Sequence, residues 1–237
     1  MAKSNVWMSV SDLMTGLMII FLFIAIAYIN RVKENQTVLT EYVETKNKLY
    51  EKLISEFEQD TVEWQMAIGR DLSMKFNNPT VLFNKGSANL TPQFQSILDE
   101  FLPRYFDILL NDDLRDRIQE IRIEGHTDDL SFRSKHADPY IANVMLSQER
   151  ALSVLIYLRE MPAFRQYTED QKRMLEFWFT ANGLSYGKSL DCNGEYTHKT
   201  MKEIDPTLSR RVEFRIVTTG EEVLENFVTE HAQRHGH

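Results

Sequence analysis

The sequence predicts an α+β fold: a mixed sheet in β-α-β-α-β-β order with its helices on one face, preceded by a single transmembrane helix and a helical linker. Three observations predict it. An uninterrupted apolar run lies near the amino terminus, a polar, proline-free stretch follows with apolar residues at three- and four-residue steps, and strand-like and helix-like periodicities then alternate.

The apolar run, Leu13 to Ile29 (LMTGLMIIFLFIAIAYI), carries no charge. At about 1.5 Å per residue it nearly crosses a hydrocarbon core of roughly 30 Å, and extension back to Trp7 completes the span. It is too long for the apolar core of a signal peptide, lacks a small-x-small cleavage site at its end, and begins beside an acid, so it reads as uncleaved. Lys3 lies on one side while Arg31 and Lys33 lie on the other, so the positive-inside rule leaves the orientation open. This divides the chain into a short tail (1–6), the span (7–30), a linker (31–78), a folded domain (79–220) and a C-terminal tail (221–237).

In the linker, Leu39, Val43, Tyr50, Leu53, Phe57, Trp64 and Ala67 form a narrow seam interrupted by Lys46 and Asp60. Two readings fit: a two-stranded coil, or a helix leaning on its own domain. The helix is expected to end before Asn77-Asn78-Pro79, because the residue before a proline is pushed out of helical geometry. Thr80 to Phe83 then reads as a strand, Thr91-Pro92 as a helix cap, and Phe94 to Leu110 as a helix. Arg117 to Gly125 alternates as a strand, Tyr140 to Met161 is a second amphipathic helix, and Leu175 to Thr180 and Arg211 to Thr218 read as further strands.

Composition excludes several functions. With 27 basic against 35 acidic residues and a net charge of -8, the chain lacks the concentrated positive charge of a nucleic-acid binder. Cys192 stands alone, so neither an intrachain disulfide nor a thiolate metal cluster can form, though a bridge between two copies can. His126 and His136 have no paired metal-ligand spacing, and no nucleophile-base pair or phosphate-cradling loop is present. No metal, no cofactor and no enzymatic activity are therefore expected.

Within the span, Asp12 stands out. An ionised aspartate near a helix centre costs about 2.5 to 3.5 kcal/mol to insert, so it must be protonated, paired or turned to a wet protein cavity. Desolvation favours the neutral form, as a group that loads and releases protons requires. Helical spacing places Ser9, Thr15 and Gly16 beside it, a small polar face against which a partner helix can pack. The alternative is an interfacial helix cap shared with Ser9 or Ser11.

Three segments of the soluble part resemble, in order, the OmpA-like peptidoglycan-binding domain also found in the flagellar stator subunit MotB. They are Phe83-Asn84-Lys85-Gly86-Ser87-Ala88-Asn89-Leu90-Thr91-Pro92, the GHTD signature in Ile123-Glu124-Gly125-His126-Thr127-Asp128, and Asn143-Val144-Met145-Leu146-Ser147-Gln148-Glu149-Arg150-Ala151 followed by Val154 and Leu158. Arg210-Arg211-Val212-Glu213-Phe214 is similar to the family's closing strand. The resemblance implies that Asp128 takes the ammonium and Arg150 the carboxylate of a diaminopimelate side chain in a peptidoglycan stem peptide, with Asn143 and Arg211 contributing. That agrees with the chemistry, since such a zwitterion needs one partner of each sign and Arg offers a bidentate fork. The chain departs from the family in an insertion, Leu130 to Tyr140 with Arg133, Lys135 and His136, in Ser209 where an asparagine is usual, and in a long loop from Gly183 to Leu208.

The amino-terminal segment Trp7 to Leu17 (WMSVSDLMTGL) resembles the MotB helix whose aspartate carries protons. It resembles more closely the B-subunit family of the Zorya anti-phage defence systems, on the DLMTGL core and the run Ile20 to Tyr28. This implies an inner-membrane protein with a cytoplasmic N-terminus and a periplasmic C-terminal domain. Two copies would sit in lipid inside a five-subunit ring of a polytopic A partner, with Asp12 the proton carrier. A flagellar stator and a passive peptidoglycan anchor are the alternatives.

Overall fold

The computed structural model describes residues 3–84, 86–130 and 136–221; of residues 3–6, 8, 9 and 35 it describes the backbone alone. The chain divides into two compact units, residues 1–44 with 220–237, and residues 45–219.

Helix α1 runs Lys3–Phe57 without a break. A stretch beginning at Val10 is long and apolar enough to cross a membrane, and every residue from Val10 to Asn30 is exposed. Large apolar side chains left outside a protein core on all sides of a helix fit a lipid surrounding rather than water. In the same unit, a Cβ added to Gly220 would meet Tyr42 at 3.4 Å and Val38 at 3.8 Å.

The second unit is a five-stranded mixed sheet in the order β1-β2-β5-β3-β4. Strands β1 (Met66–Ile68) and β2 (Ser73–Phe76) form a hairpin. β2 pairs antiparallel with β5 (Val212–Thr218), β5 antiparallel with β3 (Ile118–Gly125), and β3 parallel with β4 (Phe179–Gly183). Helices α2 (Pro79–Leu82), α3 (Pro92–Leu109), α4 (Pro139–Glu160), α5 (Glu169–Trp178), α6 (Thr197–Thr200) and α7 (Pro206–Ser209) lie between strands.

Several elements differ from the sequence reading. The helix expected to run nearly to Asn77 ends at Phe57, and Leu49, Leu53 and Phe57 are buried in the core of the second unit. The linker seam therefore packs against its own domain from residue 49 onward. Gln65 and Leu72 take positive φ of 48° and 60°, left-handed positions that a helical periodicity cannot reveal; Gln65 leads into β1 and Leu72 ends the turn before β2. Thr80 to Phe83 is not a strand. Asn78 caps α2 through the amides of Thr80 and Val81, with Pro79 in the first turn, and this local cap overrides the β-branched composition. Leu175 belongs to α5, whose capping box joins Thr168 to Gln171, so β4 starts only at Phe179.

An aromatic cluster fills the core. The Phe101 ring lies 5.2 Å from the rings of Phe57, Phe76 and Phe214 and 5.0 Å from Tyr105, which ties α1, β2, α3 and β5 together. Arg104 covers its edge, stacked 4.7 Å over Phe57 and paired with Glu56 and Asp60.

Phe101→Ala is expected to lower unfolding stability by about 3 to 5 kcal/mol, because it opens a cavity touched by four elements. Urea unfolding of the full chain in detergent checks this; a loss below about 1 kcal/mol would mean the cluster is not the centre of the core.

Candidate functional site

The site forms where β3 and β4 end against α4. Gly125 and Gly183 are register partners on those strands. A Cβ on Gly125 would come within 2.2 Å of the Ser147 carbonyl, and one on Gly183 within 2.4 Å of the Gln148 amide, so only glycine lets α4 approach this closely. Gln148 then stitches the contact, donating to the Ala181 carbonyl and accepting from the Gly183 amide at 3.0 and 2.8 Å. The Ser185 amide donates to the Ser147 hydroxyl at 3.0 Å.

Asp128 follows β3 in a segment tied to both neighbours. The His126 amide donates to the Arg211 carbonyl and the Thr127 amide to the Ser185 carbonyl, each at 3.0 Å. Oδ1 of Asp128 accepts from the Leu130 amide at 3.3 Å. Oδ2 is buried and has no hydrogen-bond partner among the described residues; the Nε of Arg210 lies 3.4 Å away. A buried carboxylate oxygen left in this state is costly unless a further donor completes it.

Arg150 stands on α4 beside this carboxylate. Its Nε donates to the Ser87 carbonyl at 3.1 Å, and its guanidinium carbon lies 5.0 Å over the Phe83 ring. Stacking and one hydrogen bond fix the plane of the fork and leave its terminal nitrogens for a bidentate anion. Burial, with the charge of Arg210 adding and that of Asp128 opposing, brings Arg150 down to about 10, so it remains cationic at neutral pH. One anion and two cations thus converge on one half-open rim.

Asn143 is buried, and its side-chain amide donates to the Pro139 carbonyl at 3.1 Å. It holds the first turn of α4, which Asp138 caps through the Tyr140 amide at 2.8 Å. The structure does not bring the Arg211 side chain to the rim. That side chain is fully buried, with Nε on Glu213 at 2.6 Å, Nη1 on the Ser209 carbonyl at 3.3 Å and Nη2 on the Lys188 carbonyl at 3.2 Å. Arg210 takes the rim position instead. Strand alternation carried the signal: residues 211 and 213 share a face, so Arg211 joins Glu213 inside while Arg210 points the other way. Ser209, in the place of the usual asparagine, anchors the long loop by accepting from the Leu190 amide at 2.9 Å and donating to its carbonyl at 3.2 Å. Arg133 and Lys135 of the insertion lie outside the described residues, as do Lys85 and the tail from 222 onward.

Beneath the rim lies a charged cluster that sequence reasoning missed. Glu124, His126 and Glu213 are all buried, with ligand-type atoms within 4.8 Å of one another. A cation could be held by this donor set, but Arg211 already occupies Oε1 of Glu213, and Arg215 lies 3.8 Å from Glu124 and 3.5 Å from Glu213. Guanidinium groups meet the carboxylate charge. Burial works against ionising Glu213, yet Arg211, His126 and Lys75 hold it down at about 2. Burial likewise opposes the charge on Glu124, while His126 and Arg215 keep it below the usual range.

Asp12 lies on α1 and is exposed. Thr15 and Gly16 fall on the same face by helical spacing, with the Thr15 hydroxyl donating to the Ser11 carbonyl at 2.8 Å and, beyond its own helical turn, none of the described residues within 4 Å of a Cβ at Gly16. The Ser9 side chain lies outside the described residues.

No protein-family model matches the chain. The chain is 36% identical over 230 residues to the Zorya protein ZorB of Escherichia coli, an alignment covering 94% of this chain and 92% of that protein. Among solved structures it is similar to a MotB-like protein from Desulfovibrio vulgaris, with 21% identity, a TM-score of 0.49 and coverage of 76% of this chain and 98% of that one. It is similar also to the cell wall anchor of the T6SS from Pseudomonas aeruginosa, with 22% identity, a TM-score of 0.44 and coverage of 70% and 96%. For the periplasmic domain of Helicobacter pylori MotB the values are 16%, 0.39, 69% and 83%.

Because Glu213 falls from an ordinary 4.5 to about 2 in the fold, its contribution to stability is complete above about 4.5 and is lost as pH falls toward 2. Urea midpoints measured across that window should drop for the unaltered chain. Glu213→Gln should lose about 3 to 5 kcal/mol at neutral pH, leaving Arg211 uncompensated, and show a weaker acid dependence. An unchanged acid profile would contradict the assignment.

Proposed function

Because the chain belongs to the family of the Zorya protein ZorB, we propose that it is the peptidoglycan-gripping stator subunit of a proton-driven inner-membrane motor serving anti-phage defence. The observation that carries the gripping half is the convergence of Asp128, whose buried Oδ2 lacks a hydrogen bond among the described residues, with Arg150 and Arg210 on one rim. A diaminopimelate side chain presents an ammonium to the first and a carboxylate to the arginines, so each end of the zwitterion meets the opposite sign. Asn143 and Arg211 act from below, one holding the start of α4 and the other the segment that carries Arg210.

The motor half rests on Asp12. Its place in an exposed apolar span supports a carboxyl that is sheltered by a partner helix in the assembled protein, with Ser9, Thr15 and Gly16 lining the contact. The partner is a polytopic membrane A subunit, five copies around two of this chain, with the N-terminus cytoplasmic and the domain of residues 45–219 in the periplasm. A membrane potential of 100 mV supplies about 2.3 kcal/mol per charge crossing, which yields torque only against a fixed object. The cell wall supplies that object. Chemistry stays outside this chain, which transmits force and carries protons.

Two variants separate the halves. In cells challenged with phage, Asp12→Asn is expected to abolish protection while the full chain still sediments with purified sacculi. Arg150→Ala should weaken sacculus binding by about tenfold or more, the worth of one charge-assisted bidentate pair, with thermal unfolding little changed. Full protection by Asp12→Asn would leave a passive anchor as the better reading, and unchanged sacculus binding by Arg150→Ala would refute the grip.

A further inference from the structure

Glu124 and Glu213 are direct register partners on β3 and β5, a placement in which like charges repel. Between them sits the His126 imidazole, its Nε2 3.6 Å from Glu124 Oε2 and 3.6 Å from Glu213 Oε1. The ring is wholly buried, and neither nitrogen has a hydrogen-bond partner among the described residues. Among the described residues, the charged groups around it are Glu124 from β3, Arg211 just before β5, and Glu213 and Arg215 from β5. Asp71 pairs with Arg215 at 3.1 Å, and Lys75 on β2 acts on Glu213 and Asp71.

The oxygen that faces Nε2 is the same Glu213 Oε1 that accepts from Arg211 Nε at 2.6 Å. Arg211 in turn holds the carbonyls of Ser209 and Lys188, and its own carbonyl accepts from the His126 amide. The next residue, Arg210, faces Asp128. A path of direct contacts therefore runs from the imidazole to the rim.

We propose that His126 is a positioning residue of the ligand site: as a neutral imidazole it leaves Glu213 Oε1 to Arg211, which holds Arg210 and Asp128 in register, and as an imidazolium it competes for that oxygen and slackens the rim. This rests on the peptidoglycan reading above and adds its regulation by protons. Burial holds His126 below the ordinary imidazole range, so the neutral form prevails at neutral pH and the grip weakens once acid protonates the ring. Glu124 and Glu213, the two carboxyls that face the ring, are both held below the usual carboxylate range.

The test is calorimetric titration of the full chain in detergent with a soluble muropeptide bearing diaminopimelate, from about pH 8 to about pH 5. The unaltered chain should bind with constant affinity at neutral pH and several-fold more weakly once acid protonates His126, whereas His126→Gln should match it at neutral pH and stay flat. Equal pH dependence in both proteins, or none in the unaltered one, overturns the proposal. Absence of binding at every pH would instead refute the peptidoglycan reading. In that case, or if His126→Gln does not fold, NMR of the uniformly 15N-labelled native chain decides. The amides of Asp128 and Arg210 shifting with the His126 midpoint support the role, and amides that stay still while His126 titrates overturn it.

Discussion

Two glutamates face each other in register across the β3–β5 seam, buried, and their charge has to be met inside the protein. Arg211 and Arg215 meet it, and the geometry of the rim follows from that. Since Arg211 must turn inward to reach Glu213, its neighbour Arg210 turns outward toward Asp128. Because Arg211 also holds the carbonyls of Ser209 and Lys188, the long loop before β5 is pinned to the same point. Gly125 and Gly183 then allow α4 to close on the strand ends, and Arg150 arrives stacked on Phe83. Remove the buried ion pairs and the opposite charges at the surface lose their common frame.

The division of labour along the chain is equally physical. An apolar helix suits lipid, while a sheet domain with a charged rim suits water. Helix α1 belongs to both, since its residues up to 44 fall in one unit and Leu49, Leu53 and Phe57 belong to the core of the other. The last turns of this helix are thus held by burial of large apolar side chains, among the strongest terms available to a small domain.

Much of this was legible before any coordinates. The 3.6 period of α3 and α4 and the alternation of β3 and β5 are long enough to be unambiguous, and Asp128 and Arg150 stood out because a motif of the same order and spacing surrounds each. The hairpin β1–β2 was not legible: it depends on left-handed Gln65 and Leu72, residue types that do not announce such a turn. Asn78 and Pro79 made α2 readable in principle, but the β-branched Thr80 and Val81 pulled the reading toward a strand. The resemblance makes Arg211 a contributor to the ligand site, whereas its side chain is buried on Glu213 and Arg210 faces Asp128. The Glu124–His126–Glu213 cluster could not be foreseen, because it exists only once β3 and β5 pair.

The most direct measurement is a structure of the full chain bound to a stem peptide containing diaminopimelate. The account predicts the side-chain ammonium on the Asp128 carboxylate, displacing Arg210 from Oδ2, and the adjoining carboxylate in a two-bond fork with Arg150. A ligand bound elsewhere, or one whose ammonium does not touch Asp128, would contradict it.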